Sequence, residues 1–394
     1  MIDSASWAER LGGATFLAQT CFRAHKVIRS NGAFAPAPLT WNDLNEIVAA
    51  HRLEPPRMRL SRAGESVPVT AYSVLRTSRR GVSWYQPQPA ELHARLAEGA
   101  SLVIDAIDQI HPPVREAAIG LERFLGTPVQ VNAYASWTAE EGFGTHWDDH
   151  DVVVLQLEGG KRWKVYGPTR RAPAWRDVEA PAAPTGDPVA DLVLAPGDLL
   201  YLPRGWWHAV SADQGTASLH LTFGLTAQTG AEFLAWLCDG LRASTTIRAD
   251  VPRFGTLQER TDYLSALRKE VLAALQNPGV IDQWERFLDT THPGRPRLSL
   301  PHLASVPDEP GITVQLTAPR ARIDQSEQAV TLAGAGNEWT FARSVAPVLR
   351  LLAYGRPVTL AELASESGLT LGQAAEVVTT LVAGQAVAVV GDPT

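Results

Sequence analysis

Residues 132–166, NAYASWTAEEGFGTHWDDHDVVVLQLEGGKRWKVY, constrain the fold of this chain more than any other segment. The run VVVLQLEGGKRWKVY reads as two strands rich in β-branched and aromatic residues, linked as a hairpin by Glu158-Gly159-Gly160. At the mouth of the first strand stand His146 and Asp148, two positions apart. Residues i and i+2 of a strand point to one face, so an imidazole and a carboxylate at this spacing can converge on one metal ion. A second run, LAPGDLLYLPRGWWHAV (194–210), carries His208 on another expected strand, beyond the turn Ala195-Pro196-Gly197-Asp198. Two histidines and a carboxylate form a facial triad of the kind that holds non-haem Fe(II) and leaves positions open for a cosubstrate and oxygen.

Other ligand sets stay open at this level. Asp149, His150 and Asp151 lie in the same stretch, and strict alternation would put His150 on the face of His146 and Asp148. Spreading the ligands over separate strands favours His208. A plain polar pair at a sheet edge is the bland reading of His146 and Asp148. Lys161, just past the glycine turn, offers a cation for the far carboxylate of a dicarboxylic cosubstrate; the alternative is a solvated turn lysine. Asn132 and Tyr134 lead into the region and can add hydrogen bonds, as ordinary strand residues also do. Thr145, Trp147, Trp206 and Trp207 crowd the expected site.

The rest of the chain divides by texture. Residues 1–128 mix helices with short strands: 39–53 reads as a helix capped by Thr40 or Asn42, 99–107 as a buried strand, and 112–126 as an amphipathic helix opened by proline and closed by Gly126. Residues 129–228 alternate short apolar runs with Gly, Pro and Asp turns, as an antiparallel barrel does. Within them, residues 168–191 are rich in Pro and Ala and read as a surface excursion. Residues 229–291 form a helical block, in which Leu257, Leu264, Leu267, Val271 and Leu275 mark one face of the middle helix. A proline-rich linker (292–311) leads to residues 312–394, expected as two short strands and helices ending in a winged-helix-like helix–turn–helix–strand around Gly368.

Composition narrows the function classes. The 394 residues are 45% hydrophobic and 20% charged, which suits a folded rather than a disordered chain. A formal net charge of -7 argues against nucleic acid as the main partner. No Lys or Arg follows Arg356, whereas Glu362, Glu366 and Glu376 do, so no DNA binding is expected of the terminal segment. Two distant cysteines, Cys21 and Cys238, give neither a zinc ribbon nor a disulfide framework. The opening MIDSASWAERL lacks an apolar core and no run is long enough to span a bilayer. The expectation is a cytoplasmic protein with no membrane association. No P-loop, HExxH or GxSxG motif occurs.

Taken together, HWDDHDVVVLQLEGGKRWKVYGP, GDLLYLPRGWWH and SLHLTFGL resemble the Jumonji-C (cupin-like) oxygenases, and most of all their ribosomal oxygenase branch. The resemblance implies an α+β fold: a double-stranded β-helix, then a helical dimerisation block and a C-terminal winged-helix-like domain. It implies Fe(II), 2-oxoglutarate and O2, with His146, Asp148 and His208 on iron and Lys161 on the distal carboxylate of 2-oxoglutarate. Asn132, Tyr134, His220 and Thr222 match positions lining the cosubstrate pocket. The implied activity is hydroxylation of an amino-acid side chain in a protein or peptide, ribosomal-protein-like by resemblance, by a homodimer. The chain departs from the family pattern at Thr145, Trp147, His150 and Trp206-Trp207, where substrate should approach. Hydroxylation of a precursor peptide in a biosynthetic pathway, a metal- or metabolite-sensing cupin regulator, and a zinc or manganese cupin isomerase are the competing readings.

Overall fold

A computed structural model describes residues 2–30, 37–174 and 181–391, which form two compact units, Met1–Ala227 and Gln228–Thr394. The first unit begins with helices α1 (Ser4–Leu11) and α2 (Gly13–Gln19), strand β1 (Lys26–Ile28) and helix α3 (Trp41–Ala50). Strands β2 (Met58–Arg62), β3 (Glu65–Val67), β4 (Ser73–Thr77) and β5 (Ser83–Pro87), helix α4 (Pro89–Ala97), strand β6 (Ser101–Ile104) and helix α5 (Pro112–Leu125) follow. The remaining strands are β7 (Val129–Ser136), β8 (Asp151–Glu158), β9 (Lys161–Pro168), β10 (Ala190–Leu194), β11 (Leu199–Leu202), β12 (Trp206–Ala212) and β13 (Ser218–Leu225).

Local chemistry sets the helix ends. Thr40, rather than Asn42, caps α3 in a capping box with Asp43, and Leu44 and Ile47 face the core. Helix α5 starts on Pro112 and stops at Gly126, whose φ of 67° is left-handed. Gly120 lets the N-terminal segment pass close to α5, since a Cβ there would stand 2.7 Å from the Ile2 carbonyl oxygen.

Two antiparallel sheets make the barrel. The larger has the order β1-β11-β8-β13-β7-β6-β2-β3, the smaller β10-β9-β12. Side chains alternate along the central strands. Val131, Ala133 and Ala135 of β7, Val153 and Leu155 of β8, and Leu219, Leu221 and Phe223 of β13 join the core beneath the helices. Val152, Val154, Leu200 and Leu202 of the large sheet instead meet Trp163, Val165 and Leu194 of the small one. Strand β8 is thus buried on both faces, the reason VVVL (152–155) reads as an unbroken apolar run. Each fully buried Val or Leu there contributes about 1.5–3 kcal/mol.

One expected feature is corrected. Glu158-Gly159-Gly160 does not close a hairpin, because β8 pairs with β11 and β13 whereas β9 pairs with β10 and β12. The turn carries the chain from one sheet to the other. Gly159 permits the crossing: its φ is 65° and a Cβ would collide with the Ala217 carbonyl oxygen at 1.9 Å. In the expected surface excursion, residues 175–180 lie outside the described residues.

The second unit starts with helices α6 (Gly230–Gly240), α7 (Thr245–Arg248), α8 (Leu257–Leu275) and α9 (Val280–Thr291). Capping boxes at Thr229 with Glu232 and at Thr256 with Glu259 open α6 and α8. Strands β14 (Thr313–Leu316), β15 (Arg322–Gln325), β16 (Ala329–Gly334) and β17 (Asn337–Ala342) come next. Helix α10 (Ala346–Ala353), strand β18 (Val358–Thr359), helices α11 (Leu360–Ser367) and α12 (Leu371–Ala383) and strand β19 (Val387–Gly391) end the unit. Strand β14 lies between β18 and β19, and their helices share a core that includes Val314, Leu349, Leu363, Val378 and Leu381. The meander β15-β16-β17 exceeds the two strands expected here. Its tight turn places Ala335 and Gly336 at φ 51° and 76°, and alanine gives no sequence signal for such a conformation. Among the described residues, no helix is long and apolar enough to cross a membrane.

Candidate metal centre

The ligand-bearing segments meet through their backbones. His146 and His208 form an antiparallel bridge in which His146 N–H donates to His208 C=O at 3.0 Å and His208 N–H to His146 C=O at 2.8 Å. The Gly205 amide donates to the Asp148 carbonyl oxygen at 2.8 Å. His146, Asp148 and His208 then bring one ligand atom each within 4.8 Å of one another. His208 Nε2 lies 3.6 Å from Asp148 Oδ2, and His208 is buried.

Hydrogen bonding fixes which imidazole nitrogen is presented. His146 Nδ1 sits 3.0 Å from the Gly144 carbonyl oxygen and His208 Nδ1 2.9 Å from that of Trp206. A carbonyl only accepts, so both Nδ1 atoms carry the proton and both Nε2 atoms keep their lone pair for a metal. Two such nitrogens and a carboxylate are a suitable donor set for Fe(II), with three positions left open.

The convergence does not arise as strand alternation suggests. Strand β8 begins at Asp151, so His146 belongs to an isolated bridge and Asp148 to the irregular segment between that bridge and the strand. Released from alternation, His150 turns away from the triad. Its ring lies over Gly224, where a Cβ would meet His150 Nε2 at 3.0 Å, and its Nδ1 pairs with Asp149 Oδ1 at 3.1 Å. Nor is the Glu140-Glu141-Gly142 segment a free flap. The Ala63 and Gly64 amides donate to the carbonyls of Glu141 and Gly142, and Ser61 Oγ donates to Gly142.

Between the sheets, the interior is polar beyond the triad. Lys161, at 3% exposure, donates from Nζ to Ser136 Oγ at 2.5 Å. Burial pushes the Lys161 ammonium down to about 7, and among the described residues it meets no carboxylate. His220 stacks on Tyr134 with centroids 5.0 Å apart, and burial, then Lys161, holds its imidazole well below its usual range. Burial, and next the Asp148 carboxylate, push the Tyr134 phenol up to about 12, so it keeps its proton at neutral pH. Trp163 stacks on His208 at 5.5 Å. His220 Nδ1 and Trp163 Nε1 are buried without a hydrogen-bond partner among the described residues. A buried cation without a counter-ion, beside two orphaned polar atoms, fits an anionic cosubstrate with several acceptor oxygens.

Thr222 stands opposite Asn132 in the β13–β7 register, as His220 stands opposite Tyr134. Asn132 Oδ1 accepts from the Ala106 amide at 2.9 Å and so also supports the neighbouring turn. Sequence reading missed three residues here. Ser136 and Trp163 follow from the same alternation that marks Asn132, Tyr134 and Lys161, carried two residues further. Phe143, 5.9 Å from both Tyr134 and His146, had no such signal because it lies in a bend. A separate cleft of about 1230 Å³ beside α3, β5 and α4 is lined by Trp41, Trp84 and Trp137, and by none of the triad residues.

Fold and site define a cupin-type barrel with a two-histidine, one-carboxylate centre, and residues 111–233 match the JmjC domain family. The JmjC match is confined to that segment, and the curated relatives of the chain include ribosomal oxygenases and NO66 hydroxylases. It is 36% identical over 140 residues to the bifunctional lysine-specific demethylase and histidyl-hydroxylase NO66 of Drosophila persimilis, covering 36% of this chain and 20% of that protein. With ribosomal oxygenase 1 of Rattus norvegicus it shares 30% identity over 250 residues, 60% of this chain and 38% of the relative. The chain thus spans well under half the length of these curated relatives. In fold it is similar to YcfD, a ribosomal oxygenase from Escherichia coli solved with cobalt and 2-oxoglutarate. That likeness has a TM-score of 0.58 at 18% identity and covers 96% of this chain and 98% of the other.

Proposed function

We propose that this chain is an Fe(II)- and 2-oxoglutarate-dependent oxygenase that hydroxylates an amino-acid side chain of a protein or peptide, with a ribosomal protein as the favoured substrate class. The observation that carries this reading is the triad His146, Asp148 and His208 at the end of a barrel whose interior holds the buried cation Lys161. Iron with 2-oxoglutarate and oxygen supplies a hydroxylating chemistry coupled to loss of CO2, and the protein supplies binding and aim. His146, Asp148 and His208 would hold the metal. Lys161 and Ser136 would receive the distal carboxylate, Lys161 by a charge-assisted hydrogen bond. His220, Asn132, Thr222 and the protonated Tyr134 would line the same pocket, with Trp163 buried against His208 beside them.

The relatives' names support the substrate class: ribosomal oxygenases and a histidyl-hydroxylase act on protein side chains. The test is anaerobic loading with Fe(II), then succinate formation from 2-oxoglutarate in air, with and without a ribosomal-protein pool. Iron-dependent succinate that rises with the pool, and a mass increase of one oxygen in one component, is the expected result. A chain that binds no Fe(II) would overturn the reading in favour of a binding module.

The second unit supports a homodimer. Helix α8 buries none of its residues, and Leu257 and Leu264 are 82% and 61% exposed. A 19-residue helix with such a face is stabilised in water by burial against another surface. Within the second unit, residues 229–291 are read as the dimerisation block and 312–394 as a winged-helix-like domain joined by a linker at 292–311. Helices α11 and α12 meet at Gly368, whose φ is 69°, and β19 follows them. The acidic character of that pair, with Glu362, Glu366 and Glu376, supports a role other than DNA binding.

A further inference from the structure

We infer that Asp151, a carboxylate outside the metal ligand set, is a positioning residue that aims His208 at the metal. This rests on the reading of the triad as a metal centre. Asp151 opens β8, opposite Leu225, and is 4% exposed. It does not belong to the three residues whose ligand atoms converge. Its Oδ1 instead accepts from the Arg204 backbone amide at 2.6 Å.

Arg204 lies in the turn that delivers the third ligand. The Trp206 amide closes the turn on the Pro203 carbonyl at 3.3 Å, and Gly205 adopts a φ of 78°. A side chain at Gly205 would strike Pro173, its Cβ only 2.6 Å from Cδ, so the turn is confined on its far side as well. The last link is the Trp206 carbonyl, which accepts from His208 Nδ1 at 2.9 Å and thereby orients the ring. The path is continuous: Asp151 fixes the turn, the turn fixes the Trp206 carbonyl, and that carbonyl fixes the tautomer and rotation of His208. Because the Gly205 amide also bonds to the Asp148 carbonyl, the same turn is registered against the second ligand. A charge-assisted bond from a buried carboxylate is stiffer than the backbone contacts alone. Loss of a group that orients a metal-bound imidazole typically costs about 10–100-fold in metal affinity.

The test uses the full-length chain and Co(II), read by calorimetric titration and by the visible ligand-field spectrum of the bound ion. Asp151→Leu removes the acceptor. Arg204→Pro removes the donor from the opposite side while leaving Asp151 in place. Asp151→Asn keeps an acceptor oxygen. The expected result is a drop in Co(II) affinity of about 10–100-fold in the first two, with an altered spectrum, and recovery to within about threefold of wild type in the third. Thermal melts identify which variants fold, and Arg204→Pro carries the test if Asp151→Leu does not. Wild-type affinity and spectrum in a folded Asp151→Leu or Arg204→Pro would overturn the proposal. Loss of folding in both, or an Asp151→Asn protein no better than Asp151→Leu, would overturn it in favour of a purely structural carboxylate. A wild-type chain that binds no Co(II) would instead sink the metal-centre reading itself.

Discussion

His146 and His208 hold each other through reciprocal backbone hydrogen bonds of 3.0 and 2.8 Å, with ring centroids 4.3 Å apart. The bridge survives loss of either side chain, because it uses only main-chain atoms. His208→Ala is therefore expected to fold, with a melting temperature near wild type, and to lose Co(II) or Fe(II) affinity by more than the roughly 10–100-fold seen for outer-shell changes. Calorimetric titration against a thermal melt separates the two effects. Metal binding at wild-type strength would remove His208 from the ligand set.

Lys161 gives the cosubstrate pocket a pH dependence whose sign can be worked out. Burial holds its ammonium down to about 7, and the groups facing it, Ser136 on β7 and His220 on β13, carry no negative charge. A bound dicarboxylate favours the charged form and raises that value, so above about pH 7 binding takes up a proton. Affinity for 2-oxoglutarate should fall by up to about tenfold per pH unit in that window. Lys161→Arg should flatten the dependence, since its guanidinium stays charged. Titrations of the wild type from about pH 6.5 to 8.5 showing one constant affinity would contradict this account of Lys161.

Leu155 and Val154 are adjacent on β8, fully buried, and on opposite faces. Leu155→Ala opens a cavity beneath the helices and should cost about 2–5 kcal/mol in denaturant unfolding. Co(II) affinity should stay at the wild-type value, because no triad residue belongs to that cluster. A coupled loss of metal would show that the helix-side core reaches the ligands.

The exposed leucines of α8 predict an oligomeric effect. Leu264→Asp places a charge in a face that the dimer would desolvate, and light scattering should show a monomer where the wild type elutes as a dimer. Fe(II) affinity should not change. A wild type that is monomeric at micromolar concentration would refute the dimer.

The sequence by itself determined much of the barrel. The period-2 pattern from Lys161 onward, the Pro-Gly-Asp turn before β11, and the capping residues at Thr40 and Gly126 all act over a few residues, and all appear in the expected elements. The triad was legible for a weaker reason. His146 and Asp148 were placed on one face by strand alternation, yet neither lies in a continuous strand. What brings them to His208 is the antiparallel bridge that His146 makes with strand β12 some sixty residues on, which no local rule encodes. The same holds for the turn at Gly159: two adjacent strand-like runs look like a hairpin until the competition between sheets assigns them to different partners. Only the tertiary structure decided against His150, since its direction depends on where β8 begins and on the space above Gly224. Propensity and periodicity act within an element, whereas register between distant strands and the aim of a side chain in a bend are fixed by burial and by backbone hydrogen bonds formed after the chain has closed on itself.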